Sequence, residues 1–282
     1  MKDSRYYVKP FLVYVGNKSW FQEFAWKFYS RASKDRGENL TWVDPFCGSC
    51  ALPLYIMPER AWLNDHSVHL INLYRYISEY GKMPDITDND TKENYYAKRA
   101  RFNEKIAVNE INDDEMAVLF YYLNRAGYGG LSRYNSKGGF NVPYRGHVSN
   151  SKTDFSSEQE AIRDWKFSNL IWEDVLDDLE TDNDFLFIDP PYDEVFNKYI
   201  QKSFGWDQQV ALAEKLASLP NPIVATNSCT DRIIELYTGL GFDVQYRYRG
   251  NMMQRPKVNN GVHKDFKEAI FTKNIQVGDN KD

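Results

Sequence analysis

The apolar run Phe185-Leu186-Phe187-Ile188 ends in Asp189-Pro190-Pro191-Tyr192: an acid, two prolines and an aromatic ring. Proline has no N–H and fixes its own φ, so the backbone carbonyls here turn away from a sheet ladder. A carboxylate and a carbonyl beside a tyrosine face can hold a flat nitrogenous ring and accept hydrogen bonds from its amino group. The chemistry suited to such a ledge is chemistry on the exocyclic amine of a base, with Asp189, Pro190 and Tyr192 as the candidate catalytic residues. Taken alone, the string also describes a strand followed by a proline turn.

Other strand-like runs end in polar residues too. Leu40-Thr41-Trp42-Val43 leads into Asp44-Pro45-Phe46-Cys47-Gly48-Ser49-Cys50, where Gly and Ser let the backbone turn tightly and approach a ligand at a helix start. Arg60-Ala61-Trp62-Leu63 leads into Asn64-Asp65, and Asp65 lies 21 positions beyond Asp44, about where a nucleoside-binding fold places its ribose-binding acid. A third acid, Asp174, follows the run Leu170-Ile171-Trp172. Singly, each is a turn or a helix cap; together they describe a pocket for a cofactor with a ribose and a flat base. Cys47 and Cys50 form a C-x-x-C pair, but no second ligand pair has suitable spacing and the chain holds only 4 His, so no metal site is expected.

These strand ends have to be carried by a framework. Strand-like runs, including Pro222 to Thr226, alternate with amphipathic stretches at His66 to Tyr80, Asp207 to Leu219 and Thr230 to Leu240. That alternation predicts an α/β doubly wound sheet, with ligands bound outside the carboxyl ends of the strands. Phe242 to Tyr248 and Phe266 to Lys273 predict an antiparallel hairpin at the sheet edge, joined by a long polar loop. The interval from about Gly81 to Phe155 interrupts the pattern. It shows helical periodicity from Thr91 to Ala126, then two short alternating pieces, Gly130 to Tyr134 and Gly139 to Tyr144, around the turn residues Asn135 to Gly138. This reads as an inserted helical domain carrying a basic, aromatic β-hairpin. The expected organisation is 1–80 with 156–282 as one domain and 81–155 as the insert.

The chain's 282 residues, 42% of them hydrophobic, suffice for such a core, and no run approaches a membrane span. Without a signal-like N-terminus, and with only three cysteines, the expectation is a soluble cytoplasmic protein with no disulfide framework. A net charge of −5 argues against a nucleic-acid partner, but its distribution argues the other way. Between 125 and 147, Arg125, Arg133, Lys137 and Arg145 stand with no acid among them; between 247 and 267 six basic residues face Asp265 alone. Basic stretches on an acidic body fit phosphate contact. The 20 Tyr, 17 Phe and 7 Trp are mostly core, with stacking on bases an alternative around Asn124 to Tyr144.

At this point the chain resembles the Dam-type (D12 class) DNA adenine-N6 methyltransferase family along nearly its whole length. Lys9-Pro10-Phe11-Leu12-Val13-Tyr14-Val15-Gly16-Asn17-Lys18 is similar to the N-terminal motif, and Asp44 to Ala51 to the cofactor loop. Asn64-Asp65 with Leu70-Ile71-Asn72 resembles a further block. Asn124 to Asn135 followed by Gly139 to Tyr144 resembles the target-recognition hairpin, and Asp189 to Tyr192 the catalytic motif. The resemblance implies a Rossmann-like methyltransferase sheet that uses S-adenosylmethionine (SAM), releases S-adenosylhomocysteine, and methylates a flipped adenine in duplex DNA as a monomer or transient dimer.

The implied cofactor set is Tyr14, Gly16, Lys18, Asp44, Phe46, Gly48, Asp65, Asp174 and Asp189. Within it Tyr14 packs near SAM, Asp65 holds the ribose, Asp174 meets the cofactor adenine, and Phe46 and Gly48 shape the loop under the methionine part. Asp189 and the Pro190 carbonyl accept hydrogen bonds from the target amino group, with Tyr192 stacked on the flipped base. The implied DNA set is Arg125, Tyr128, Leu131, Arg133, Asn135 and Pro143: Arg133 on guanine, Leu131 and Pro143 on a thymine methyl, Tyr128 as a wedge. Val13 stands where GATC-reading relatives carry a lysine that reads the first guanine, which implies a short GATC-like or altered site. Gly129 replaces an asparagine, and Asn17 and Cys50 replace glycines. A catalytically impaired DNA-binding relative and an RNA adenine methyltransferase are the other readings these residues leave open.

Overall fold

Buried, β-rich segments set the strands. Asp184–Ile188 is buried at every position, as expected for a strand covered on both faces. The computed structural model describes residues 8–14, 16–37, 40–87, 89–149, 151–179, 182–193, 204–249 and 266–275. Seven strands are described, mostly parallel with an antiparallel end, which is the Rossmann-like α/β class expected from the sequence. The residues group into two compact units: Met1–Lys27 with Cys47–Ile171, and Phe28–Phe46 with Trp172–Asp282. Residues 81–155 fall wholly within the first.

In the second unit five strands lie in the order β1 (Thr41–Asp44), β4 (Asp184–Ile188), β5 (Ile223–Ser228), β7 (Phe266–Lys273), β6 (Asp243–Arg249). β1, β4 and β5 are parallel, with Val43 opposite Leu186 and Leu186 opposite Ile223. β7 runs antiparallel to both β5 and β6, so the expected C-terminal hairpin is present. Its connecting segment, with most of the second basic stretch, lies outside the described residues. Rings fill much of this core: Trp42 stacks on Phe185 at 5.0 Å and on Phe187 at 5.5 Å, and Tyr237 on Phe271 at 4.3 Å. Helices α8 (Trp206–Ser218) and α9 (Asp231–Gly239) follow β4 and β5.

The first unit holds a parallel pair, β2 (Ala61–Asn64) and β3 (Lys166–Ser168), with Leu63 opposite Phe167. Around it are α2 (Pro53–Ile56), α3 (Val68–Tyr80), α4 (Lys92–Ala107), α5 (Asp114–Ala126) and α6 (Ser156–Ile162). The periodicity from Thr91 to Ala126 is thus two helices, the second begun by the Asp113 side chain, which accepts the Met116 N–H at 2.9 Å. Helix α1 (Gln22–Arg36) has its buried residues Ala25, Tyr29 and Ala32 at helical spacing, a pattern that a reading focused on strand ends passes over.

One expectation needs correction. The run Leu170-Ile171-Trp172 is not a strand: β3 ends at Ser168, and Trp172 opens α7 (Trp172–Asp177). The Asn64 side chain accepts the Leu170 N–H at 2.8 Å and donates to the Leu170 carbonyl at 3.1 Å, taking both groups a ladder would have used. The hairpin expected within 130–144 is present in a short form: the Asn135 N–H bonds the Gly139 carbonyl at 2.8 Å and the Asn141 N–H the Arg133 carbonyl at 3.0 Å, and isolated antiparallel bridges join Tyr134 to Phe140 and Gly127 to Tyr144. Side chains of α4 brace it: Asn103 bonds both the N–H (2.8 Å) and carbonyl (3.1 Å) of Phe140, and Arg99 bonds the Val142 carbonyl at 3.0 Å.

Among the described residues, no helix is long and apolar enough to cross a membrane.

Candidate active site

In the first unit the site residues converge on Gly48. Its N–H donates to Asp65 Oδ2 at 3.0 Å, and its carbonyl accepts the Tyr74 hydroxyl at 2.9 Å. Gly48 sits at φ +48°, and a Cβ there would come within 3.1 Å of the Tyr14 ring. The backbone hand favours glycine here, and any side chain would crowd the Tyr14 ring as well. Asp65 directly follows β2, and its other oxygen accepts the Ser67 N–H at 2.8 Å, the residue that caps α3. Burial raises the Asp65 carboxyl, opposed by the Ser67 and Gly48 N–H groups and by His66. Tyr14, Gly48 and Asp65 are thus brought together. Lys18 is buried with its Nζ 3.4 Å from the Gly16 carbonyl, and Gly16 itself turns at φ +81°.

The two substituted glycine positions behave differently. Cys50 is forced to φ +52° with its side chain buried, whereas Asn17 keeps an ordinary negative φ. Neither Cys47 nor Cys50 is joined in a disulfide. Among the described residues, no group of three or more His, Cys, Asp or Glu is placed to hold a metal ion.

In the second unit the ledge is held from three elements. Asp189 Oδ1 accepts the Thr226 hydroxyl of β5 at 2.7 Å. The Pro191 carbonyl accepts Gln209 Nε2 of α8 at 2.8 Å; Gln209 is fully buried and in turn accepts from Asn227 at 2.9 Å. One residue on, the buried Asp193 carboxylate receives both Nε and Nη2 of Arg232 on α9, and the Arg232 guanidinium lies 4.6 Å from the Trp206 ring. The Tyr192 hydroxyl donates to Glu268 at 3.3 Å. Burial, with the charges of Asp189 and Glu268, pushes the Tyr192 phenol well above its ordinary range. Asp44 ends β1 and accepts the Phe46 N–H at 3.0 Å, turning the chain out of the sheet; the Phe46 ring meets Phe204 edge-on at 5.7 Å. Asp174 stands exposed in the first turn of α7.

Thr226, Gln209, Asp193, Arg232 and Glu268 were not legible as site residues. Thr226 had one available signal, since Thr226-Asn227-Ser228 closes a strand in polar side chains as the motif-bearing strands do. Glu268 had none, because only the antiparallel placement of β7 brings it to Tyr192.

The residues expected at DNA divide by exposure. Tyr128 is 64% exposed, and Pro143 and Arg133 are exposed as well. The Tyr128 N–H bonds the Pro143 carbonyl at 2.9 Å, which holds the two close. The Arg133 guanidinium is braced on Asn141 through its Oδ1 (2.7 Å) and carbonyl (3.1 Å). Leu131 is partly buried, and the Asn135 side chain closes the turn by accepting the Lys137 and Gly139 N–H groups. Arg125, in contrast, is buried and bonds the carbonyls of Ser149 (2.8 Å) and Phe11 (3.3 Å). Its neighbour Asn124 accepts the Val13 N–H at 3.0 Å and donates to the Val13 carbonyl at 2.7 Å, fixing that backbone.

Comparison with known proteins points the same way. A family model described as D12 class N6 adenine-specific DNA methyltransferase matches residues 14–252. The chain is 31% identical over 222 residues to the Type II methyltransferase M.CviBI of Paramecium bursaria Chlorella virus NC1A, covering 74% of this chain and 82% of that protein. It is 35% identical to the Retron Ec67 DNA adenine methylase of Escherichia coli over 69% of this chain and 71% of the relative. It is 30% identical to the DNA adenine methylase of Haemophilus influenzae over 89% and 91%.

Proposed function

The chain belongs to the D12 class N6 adenine-specific DNA methyltransferase family and is a DNA adenine methyltransferase; on that premise we propose that its methyl donor is SAM, its substrate a flipped adenine in duplex DNA, and Asp189 the residue that directs the reaction. The single observation that carries this is the anchored ledge, whose carboxylate, prolyl backbone and aromatic ring are each held by a buried or strand-end partner.

The residues fit a nucleoside-bearing donor. A Cβ at Gly48 would press on the Tyr14 ring, so the bare backbone suits the loop, and Asp65 is an acid fixed just past a strand end, as in ribose binding. Asp65 would take the ribose hydroxyls, Asp174 the cofactor adenine, and Tyr14, Gly16, Lys18, Asp44, Phe46 and Gly48 the remainder. When bound, SAM supplies an electrophilic methyl on a sulfonium.

The protein's own work is on the amine. The adenine N6 lone pair is delocalised into the ring and is a poor nucleophile. Acceptors at Asp189 and the Pro190 carbonyl, placed on its two hydrogens, favour a pyramidal nitrogen and stabilise the positive charge that develops there. Alignment of nitrogen and methyl then accounts for much of the remaining acceleration. In a duplex this amino group is tied up in pairing, so the base must leave the stack, and Tyr192 offers a face that offsets part of the unstacking.

We assign target reading to residues 81–155, with Tyr128, Leu131, Arg133 and Pro143 as contacts, Asn135 shaping the turn, and Arg125 holding the segment from inside. Valine at position 13 cannot donate to guanine, so the recognised site differs from a fully read GATC. Incubation of the purified protein with SAM and genomic DNA, followed by long-read sequencing, tests this: it should reveal N6-methyladenine at one short motif, and methylation on RNA alone or none at all contradicts it.

A further inference from the structure

Tyr192 lies between two carboxylates. Its hydroxyl donates to Glu268 Oε2, and Glu268 is only 6% exposed. Glu268 sits on β7 opposite Ser228 of β5 and Arg247 of β6, so strand register rather than a flexible loop sets its position. On the other flank Asp189 is fixed by Thr226, whose hydroxyl also contacts the phenol. The tyrosine hydroxyl donates and the glutamate accepts, and burial with the charges of Asp189 and Glu268 pushes the phenol well above its ordinary range.

A phenol that donates into a carboxylate gains electron density in its ring, and the negative face of the ring deepens. A base stacked on that face is stabilised more once its amino nitrogen carries positive charge than before, which is stabilisation specific to the transition state. Holding the ring by its far end also lowers the entropy lost on stacking. We propose that Glu268 is a positioning residue for the target base: its carboxylate anchors the Tyr192 hydroxyl, presents the ring face to the flipped adenine and enriches that face in electron density. The proposal rests on Tyr192 as the stacking group in the function given above, and it adds a residue from the last strand to that role.

The test is a double-mutant cycle of Glu268→Gln and Tyr192→Phe, read by single-turnover methylation of a duplex carrying the site the wild type methylates. Calorimetric SAM binding, and fluorescence of 2-aminopurine at the target position, are measured alongside. Gln keeps the volume and an acceptor without the charge; Phe keeps the ring without the hydroxyl. Each single change should slow methyl transfer about tenfold, leave SAM affinity unchanged and weaken quenching of the flipped 2-aminopurine. The double variant should be no slower than Tyr192→Phe, because Glu268 then has no hydroxyl to hold. A wild-type rate in Glu268→Gln overturns the proposal, and so does an equal loss in the Tyr192→Phe background, which would mark a merely structural carboxylate. If Glu268→Gln does not fold, a wild-type rate in Tyr192→Phe overturns it equally. A wild-type protein that methylates no duplex adenine defeats the functional reading and this inference together, whereas an active wild type with a neutral Glu268→Gln defeats this inference alone.

Discussion

The carboxylate of Asp65 accepts the N–H of Gly48 at 3.0 Å, tying the residue after β2 to the glycine of the loop proposed to hold the cofactor. The acid proposed to bind the ribose therefore also sets the shape of the loop. Replacing it with alanine strands two donors, the N–H groups of Gly48 and Ser67, and should cost about 1–3 kcal/mol in urea unfolding. SAM affinity should fall at least about tenfold in calorimetry, from loss of the hydroxyl acceptor. Asp65→Asn keeps one acceptor oxygen and should lose less stability than alanine. Unchanged SAM affinity in Asp65→Ala would move the ribose elsewhere.

Cys50 reverses the usual logic of a buried apolar position. A left-handed backbone costs a residue bearing a Cβ about 1–2 kcal/mol, and a β-branched one more. Cys50→Gly loses buried atoms but relieves this strain, so its stability should stay within about 1 kcal/mol of the wild type. Cys50→Val, apolar and only slightly larger, should cost at least about 2 kcal/mol. Denaturant midpoints of the two variants check the order; valine tolerated better than glycine would refute the strain.

His69 gives the fold an acid limit. Its ring is buried against Phe102 (4.8 Å), Phe120 (6.1 Å) and Tyr134 (5.9 Å), and among the described residues its Nδ1 has no hydrogen-bond partner. Burial lowers its pKa from 6.5 to about 4. The unfolded chain takes up a proton that the folded chain refuses, so this group costs nothing above pH about 6.5 and removes stability as pH falls from there towards about 4. Between pH 7 and pH 5 the loss should be on the order of 2 kcal/mol. His69→Phe should flatten that dependence in thermal melts run across the range, and an unchanged slope would show that the histidine is not the group responsible.

Much of this protein was legible because the residues proposed for its chemistry sit at strand ends. Asp44, Asp65 and Asp189 each close an apolar run, and β1, β2, β4 and β5 lie where those runs are. What was not legible shares a physical cause. Asn64, Asn103 and Asn124 each take both the N–H and the carbonyl of one distant residue (Leu170, Phe140 and Val13), so segments with strand-like composition are held without a ladder. A side-chain amide that imitates a strand partner leaves no periodic trace. The same holds for Arg125, whose charge suggests DNA while its buried guanidinium bonds two carbonyls, and for Glu268, which reaches Tyr192 only through the register of β7.

The central claim is that Asp189, held by Thr226, accepts from the target amino group. The direct measurement is single-turnover transfer of labelled methyl from SAM to duplex DNA by Asp189→Ala, with SAM binding measured on the same preparation. SAM affinity within a few-fold of the wild type, together with a rate reduced at least about 100-fold, is the predicted result. A folded Asp189→Ala protein that methylates adenine at the wild-type rate would contradict the account.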